Sequence, residues 1–191
     1  MATAGLFHGK FSMSIKIGLF YGSSTCYTEM AGEKIRDQIN TLLNAEVVFM
    51  HNIADDPISL MEDYNYLILG IPTWDYGELQ EDWENHWDDI DSLDLSHAKA
   101  AVYGLGDQIG YPQWFQDALG YLWTKMVNQG ATTVGAWPNK GYTFEQSKAL
   151  TEDETSFVGL PLDDENQLEL TDGFISLWCE QILAEFGLKS K

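Results

Sequence analysis

Positive charge is what this chain has least of. Of its 191 residues only 10 are Lys or Arg, against 30 Asp or Glu, leaving a formal charge of −20 at pH 7. Phosphate backbones and anionic lipid headgroups are held through Lys and Arg. The imbalance therefore speaks against nucleic acid and membrane surface, and for a basic protein partner. Cysteine is scarce too. Cys26 and Cys179 are too few and too far apart for a disulfide framework or a zinc site, which fits a reduced, cytoplasmic setting. No apolar run approaches the ~18 residues a membrane helix needs. Residues 1–12 hold no apolar stretch long enough for a secretion signal, and are expected to be a disordered or vector-derived leader. Met13 is then the expected start of a single domain over residues 13–191. Apolar residues are not scarce. At 45% hydrophobic, with 7 Trp, 9 Tyr and 9 Phe, one domain of this length can bury a core, and disorder is excluded despite the charge.

From Ile15 onward, short apolar runs alternate with helical periodicity, the signature of βαβ units and a parallel sheet. Strands are expected at residues 15–21, 46–50, 66–71 and 98–105, their runs apolar without alternation, as in strands covered on both faces. Residues 28–43 place Ala31, Ile35, Ile39 and Leu42 on one helical face. Leu79, Trp83, Trp87 and Ile90 form a second stripe. Phe115, Ala118, Leu119, Leu122 and Met126 form a third, with Pro112 in its first turn. The last helix, residues 171–186, presents Ile175, Trp178, Ile182 and Phe186 and stops at Gly187. A fifth strand is expected in two halves, residues 132–137 and 157–162, split by a polar insertion over 138–156. The fold class is thus α/β, a three-layer, doubly wound sheet of five parallel strands.

Open parallel sheets bind ligands beyond the carboxyl ends of their strands, near the point where strand order reverses. After the first strand come Gly22 and then Ser23, Ser24, Thr25, Cys26, Tyr27 and Thr28, leading into a helix. Hydroxyls and N–H groups at a helix N-terminus favour an anion. With no Lys or Arg in the loop, a terminal monophosphate suits it better than a triphosphate with Mg²⁺. The alternative is an ordinary Ser/Thr helix cap. After the third strand come Pro72, Thr73, Trp74, Asp75, Tyr76 and Gly77; after the fourth, Gly106, Asp107 and Tyr111. Trp74 and Tyr111 would emerge at the same sheet edge, where two aromatic planes suit a flat heterocycle. Each ring alone could simply cover the edge; together with the hydroxyl loop they specify an aromatic ring bearing a phosphate.

The hydroxyl loop, Ile71-Pro72-Thr73-Trp74, Gly106-Asp107-Gln108 followed by Tyr111, Trp137-Pro138 and Phe157-Val158-Gly159-Leu160 together resemble the pattern of long-chain flavodoxins. The likeness spans residues 14–188, and the loop with Glu29-Met30-Ala31 resembles the second, B type of gammaproteobacteria. The resemblance implies a flavodoxin-like strand order 2-1-3-4-5 and non-covalently bound FMN. By it, Ser23 to Thr28 hold the phosphate, Trp74 covers the inner ring face and Tyr111 the outer. Backbone of Asp75, Tyr76, Gly77, Gly106 and Asp107 meets the polar edge, beside Pro72 and Thr73. It implies a low-potential one-electron carrier rather than an enzyme. The carrier would be monomeric, fed by a basic flavodoxin or ferredoxin NADP reductase, and would deliver to acceptor redox enzymes. Three positions depart from the family pattern: Cys26 replaces a common Gly, Asp75 a common neutral residue, and Trp114 a polar one.

The alternative of the same fold is an FMN-dependent NAD(P)H:quinone oxidoreductase, which needs an open ring face that Tyr111 would block. A receiver-type signalling module needs an acidic pair after the first strand and an Asp after the third, where this chain has hydroxyls and Pro-Thr-Trp. The remaining candidates weigh less. His8, His51, His86 and His97 lack metal-ligand spacing, and residues 163–166 lack the glycine of a calcium loop. Met30 and Met126 are expected in core faces. Cys26 reads as a small loop residue, Cys179 as inert. The run from Glu78 to Asp94 carries eight carboxylates and no Lys or Arg, an expected docking surface for a cationic partner.

Overall fold

The computed structural model describes residues 15–188. The expected leader, Met13 and His8 lie outside them. Five strand positions alternate with helices: β1 Ile17–Tyr21, α1 Tyr27–Leu43, β2 Val48–Asn52, β3 Tyr66–Pro72, α2 Glu81–Asn85, β4 Lys99–Leu105 and α3 Asp117–Asn128. Then follow β5 Thr132–Val134, β6 Trp137–Pro138, β7 Ser156–Phe157, β8 Leu160–Leu162 and α4 Leu168–Phe186. The main sheet is parallel in the order β2-β1-β3-β4-β5, with β8 also against β4. The split fifth strand is literal. β5 pairs with the first half of β4, Lys99 opposite Thr132, and β8 with its second half, Leu105 opposite Leu162. Trp137 and Phe157, expected inside the two halves, instead face each other in the antiparallel β6–β7 ribbon at the base of the insertion.

Alternation along the central strands feeds two cores. Ile17, Leu19, Ile68 and Tyr103 face α1 and α4, meeting Ile35, Ile39, Trp178 and Ile182. Phe20, Leu69, Ile71 and Val102 face the other way, onto Trp83, Ile90, Leu119 and Met126. Helix α1 ends at Asn44 (φ 50°) and α4 at Gly187 (φ 81°), both left-handed stops.

Four local expectations need correction. The Leu79–Ile90 stripe is not one helix: α2 covers one turn and a 3₁₀ turn at Asp89–Ser92 follows, though Trp83 and Ile90 are both buried. A further 3₁₀ turn, Ile58–Asp63, joins β2 to β3 where periodicity gave no element. Pro112 precedes α3 by a turn instead of opening it, and its carbonyl accepts the N–H groups of Glu145 and Gln146 from the insertion. Met30 is 51% exposed, because α1 turns it away from the sheet, whereas Met126 is in the core.

Candidate functional site

At the carboxyl ends of β1, β3 and β4 lies a cavity of about 250 Å³, close to the ~300 Å³ lower end of small-ligand pockets. Thr25, Tyr27 and Thr28 line it from the first loop, Pro72, Thr73, Trp74 and Asp75 from the second, and Gly106, Asp107 and Tyr111 from the third. Three distant stretches of sequence thus meet in one place because parallel strands 1, 3 and 4 are neighbours.

The hydroxyl loop is held from below. Tyr103, fully buried on β4, passes beneath Gly70 and donates its phenol to the Thr28 carbonyl at 2.9 Å. A Cβ on Gly70 would fall 2.2 Å from that ring, so only glycine leaves it room. Burial pushes the Tyr103 phenol far above its ordinary pKa, so it stays a donor. Ser24 Oγ accepts from Gln80 Nε2 at 3.2 Å, and Gln80 Oε1 in turn accepts the Trp83 N–H at the head of α2. Cys26, the residue before α1, has φ 67°, a left-handed conformation that glycine adopts freely and cysteine only at a cost of ~1–2 kcal/mol. The backbone at this position is of the glycine type although the residue is a cysteine. Two hydroxyl oxygens, Ser23 Oγ and Thr28 Oγ1, are buried without any hydrogen-bond partner. Each such group costs ~1–3 kcal/mol, and the first-turn N–H groups of α1 have no intrahelical acceptor. The cradle offers donors at a dipole's positive end and holds no cation; a phosphate fits it.

The second loop is a tight hairpin. Trp74 N–H and the Glu78 carbonyl bond at 3.0 Å, and the Trp74 carbonyl accepts from both Gly77 (3.1 Å) and Glu78 (2.7 Å). The turn requires φ 41° at Asp75 and 88° at Gly77. Among the described residues, nothing hydrogen-bonds the Asp75 carbonyl or the Tyr76 N–H, leaving that peptide able to turn. Tyr76 packs edge-on against Trp114, centroids 5.1 Å apart. In the third loop the Asp107 carboxylate is a fastener rather than a free charge. It accepts from Ile109 N (3.0 Å), Gly110 N (2.7 Å) and Asn166 Nδ2 (2.8 Å). Burial pushes its pKa up, but these donors outweigh burial and hold it below the ordinary range.

The flavodoxin family pattern matches residues 19–178. The chain belongs to the flavodoxin family. Flavodoxin 2 of Escherichia coli (strain K12) is 56% identical over 173 residues, 91% of this chain and 98% of that protein. A flavodoxin of Nostoc sp. (strain PCC 7120) is 47% identical over 92% of this chain and 100% of its own. Among solved structures, Fusobacterium nucleatum flavodoxin bound to flavin mononucleotide aligns with TM-score 0.80 at 30% identity, covering 90% of this chain and 98% of that one.

Of the expected site residues, Ser23, Ser24, Cys26, Tyr76 and Gly77 flank the cavity and the others line it. Leu105, Trp114, Phe115, Gln116, Asp164 and Glu165 line it too. Trp114 is one of the three departures from the family pattern. Phe115 was legible only as helix stripe, and Gln116 carried no periodic signal. Asp164 and Glu165 had a readable cue: they follow β8, so they sit at a carboxyl strand end like the other site loops. Elsewhere, Cys179 is wholly buried and burial pushes its thiol up to about 12, matching an inert role. His51 is tied to Asp56 (2.7 Å) and Tyr64 (2.8 Å) as part of the fold. No helix among the described residues is long and apolar enough to cross a membrane.

Proposed function

We propose that this chain binds FMN in the cavity and serves as a one-electron carrier between redox enzymes, with no substrate of its own. The observation that carries the reading is the pair of unpartnered buried hydroxyls, Ser23 and Thr28, at the head of α1 beside the same cavity that Trp74 and Tyr111 line. Single-electron steps, two in all, are the chemistry that bound FMN supplies. Everything else falls to the protein. The hydroxyl loop would hold the phosphate, Trp74 and Tyr111 would stack on the ring, and the turnable Asp75–Tyr76 peptide would meet its edge. The reductase-fed, low-potential role in the cytoplasm, as a monomer, is part of the same reading, supported by the two free cysteines and the acidic surface.

Charge sets the potential. Adding an electron beside carboxylates is opposed for the reason that a carboxyl's pKa rises near like charge. Asp75 is exposed at the hairpin tip, so solvent cuts its effect. Asp75→Asn, which suits a left-handed position at least as well, is expected to raise the second-electron potential by tens of millivolts, less at high salt. Spectroelectrochemical titration at two ionic strengths checks it; an unchanged or lowered value would leave Asp75 with turn geometry alone.

Seven of the eight carboxylates between residues 78 and 94 are exposed. Reversing several of them to Lys is expected to slow reduction by a basic flavodoxin reductase through the association rate, most at low salt. Above ~0.1 M salt, where screening acts within ~10 Å, the gap should narrow. Equal rates at low salt would make the run a solvated face only. The reading itself is tested by mixing the FMN-loaded protein with NADPH, first alone and then with such a reductase. A carrier bleaches only in the second mixture. Bleaching by NADPH alone would favour the oxidoreductase alternative.

A further inference from the structure

Directly behind the cavity wall stands a buried acid that the carrier reading has not used. Asp117 opens α3 and is 3% exposed. Its Oδ1 accepts the Lys148 N–H at 2.8 Å, which ties it to the insertion. Its own N–H donates to the Trp114 carbonyl at 3.1 Å, and the next N–H, of Ala118, donates to Thr73 Oγ1 at 3.1 Å. Its Oδ2 is turned to the hairpin. A Cβ built on Gly77 would come 3.0 Å from Oδ2 and 3.1 Å from Trp114 Cδ1, so the carboxylate and the indole border the space beside the turn where a side chain would sit. The ring loop, the Trp114 turn and the insertion therefore meet at one carboxyl group.

An amide oxygen could also accept the Lys148 N–H, though less strongly, and a buried carboxylate costs more than a buried amide. What the acid adds is a charge that can be switched. Burial pushes its pKa above the ordinary carboxylate range, opposed by the Lys148 N–H and ammonium. Lys148, Glu145 and Glu154 border the same insertion-side hollow as Asp117. Tyr121 faces it from α3, its phenol pushed up by its own burial and by Asp117. Asp75 and Glu78 flank Gly77 on the hairpin.

We propose that Asp117 is a positioning residue for the Trp74–Glu78 hairpin, and that its carboxyl takes up a proton as the site is reduced. The inference rests on the carrier reading. The balance is simple: an electron enters the cavity from the reductant, a proton passes from solvent to the Asp117 carboxylate, and no bond in the protein is broken. Ionised, Asp117 adds to the negative field the second electron enters. Protonated, it does not. The second-electron potential therefore rises as pH falls through the Asp117 titration, and the electron in turn raises the proton affinity of Asp117.

Two measurements decide this. In carbon-13 spectra of the wild type, the Asp117 carboxyl should titrate at higher pH in the fully reduced FMN-loaded protein than in the oxidised one. Equal midpoints would overturn the proposal. Second-electron potentials against pH should be flatter in Asp117→Asn than in the wild type and more positive at neutral pH, with Asp117→Glu restoring the slope. An Asp117→Asn variant that binds FMN and keeps both the potential and the slope overturns the inference alone, whatever its stability. A wild type that takes up no flavin overturns the carrier reading and this inference with it.

Discussion

Thr28→Val is expected to weaken FMN binding about 10- to 150-fold while leaving the FMN-free protein no less stable. The two effects part because the Thr28 hydroxyl is buried without a partner. Removing it relieves an unmet donor in the free protein and deletes a hydrogen bond to a charged phosphate in the bound one. Bonds to charged groups contribute ~1.5–3 kcal/mol, which at ~1.4 kcal/mol per decade gives that range. The backbone of Thr28 stays fixed, since Tyr103 holds its carbonyl and not its side chain. Urea unfolding without FMN and fluorescence titration with it measure the two halves. A fall in stability that accounts for the lost affinity would assign Thr28 to folding. Unaltered affinity would remove the hydroxyl from the site.

Trp83→Ala is expected to cost ~3–5 kcal/mol of stability in the FMN-free protein, the usual loss for a buried aromatic cut to a methyl. Trp83 is fully buried, donates Nε1 to the Gly70 carbonyl at 2.9 Å, and lies where a Cβ on Gly22 would be only 2.9 Å away. The acidic segment is thus anchored beneath the hydroxyl loop rather than lying loose on the surface. Through Gln80, which bonds both Trp83 and Ser24, its loss should also weaken FMN. Urea midpoints at constant slope give the first effect. A loss below ~1 kcal/mol, an ordinary surface value, would mean that the segment is not anchored there.

Why was so much of this legible in the amino-acid order? Strands buried on both faces need continuous apolar runs, and residues 66–72 and 99–105 supply them; helices need stripes, and α1 and α4 have them. The site loops were legible because parallel strands deliver their loops to one edge, so hydroxyls after β1 and aromatics after β3 and β4 meet there. Tertiary demands overrode the local signals elsewhere. The stripe from Leu79 to Ile90 has helical spacing, yet Trp83 must turn under Gly22 and Gly70, and the helix breaks after one turn. Trp137 and Phe157 have strand character that goes to the β6–β7 ribbon, because only three residues on each side can pair with the halves of β4. Cys26 stands where the family pattern has a common Gly, a cue to an unusual backbone, but that the cysteine itself takes the left-handed conformation is visible only in its φ. Asp117 falls within the third helical stripe without belonging to its apolar face, and nothing in its neighbours in sequence announces Gly77 or Lys148.

A phosphate cradle at the head of α1 and an aromatic slot above β3 and β4 would together hold FMN. Titrating the FMN-free protein with FMN and with riboflavin, which has the ring and lacks the phosphate, by quenching of flavin fluorescence tests it most directly. One site is expected, tight for FMN and markedly weaker for riboflavin, with the difference shrinking in Thr28→Val. Equal affinity for the two flavins, or quenching of neither, would contradict it.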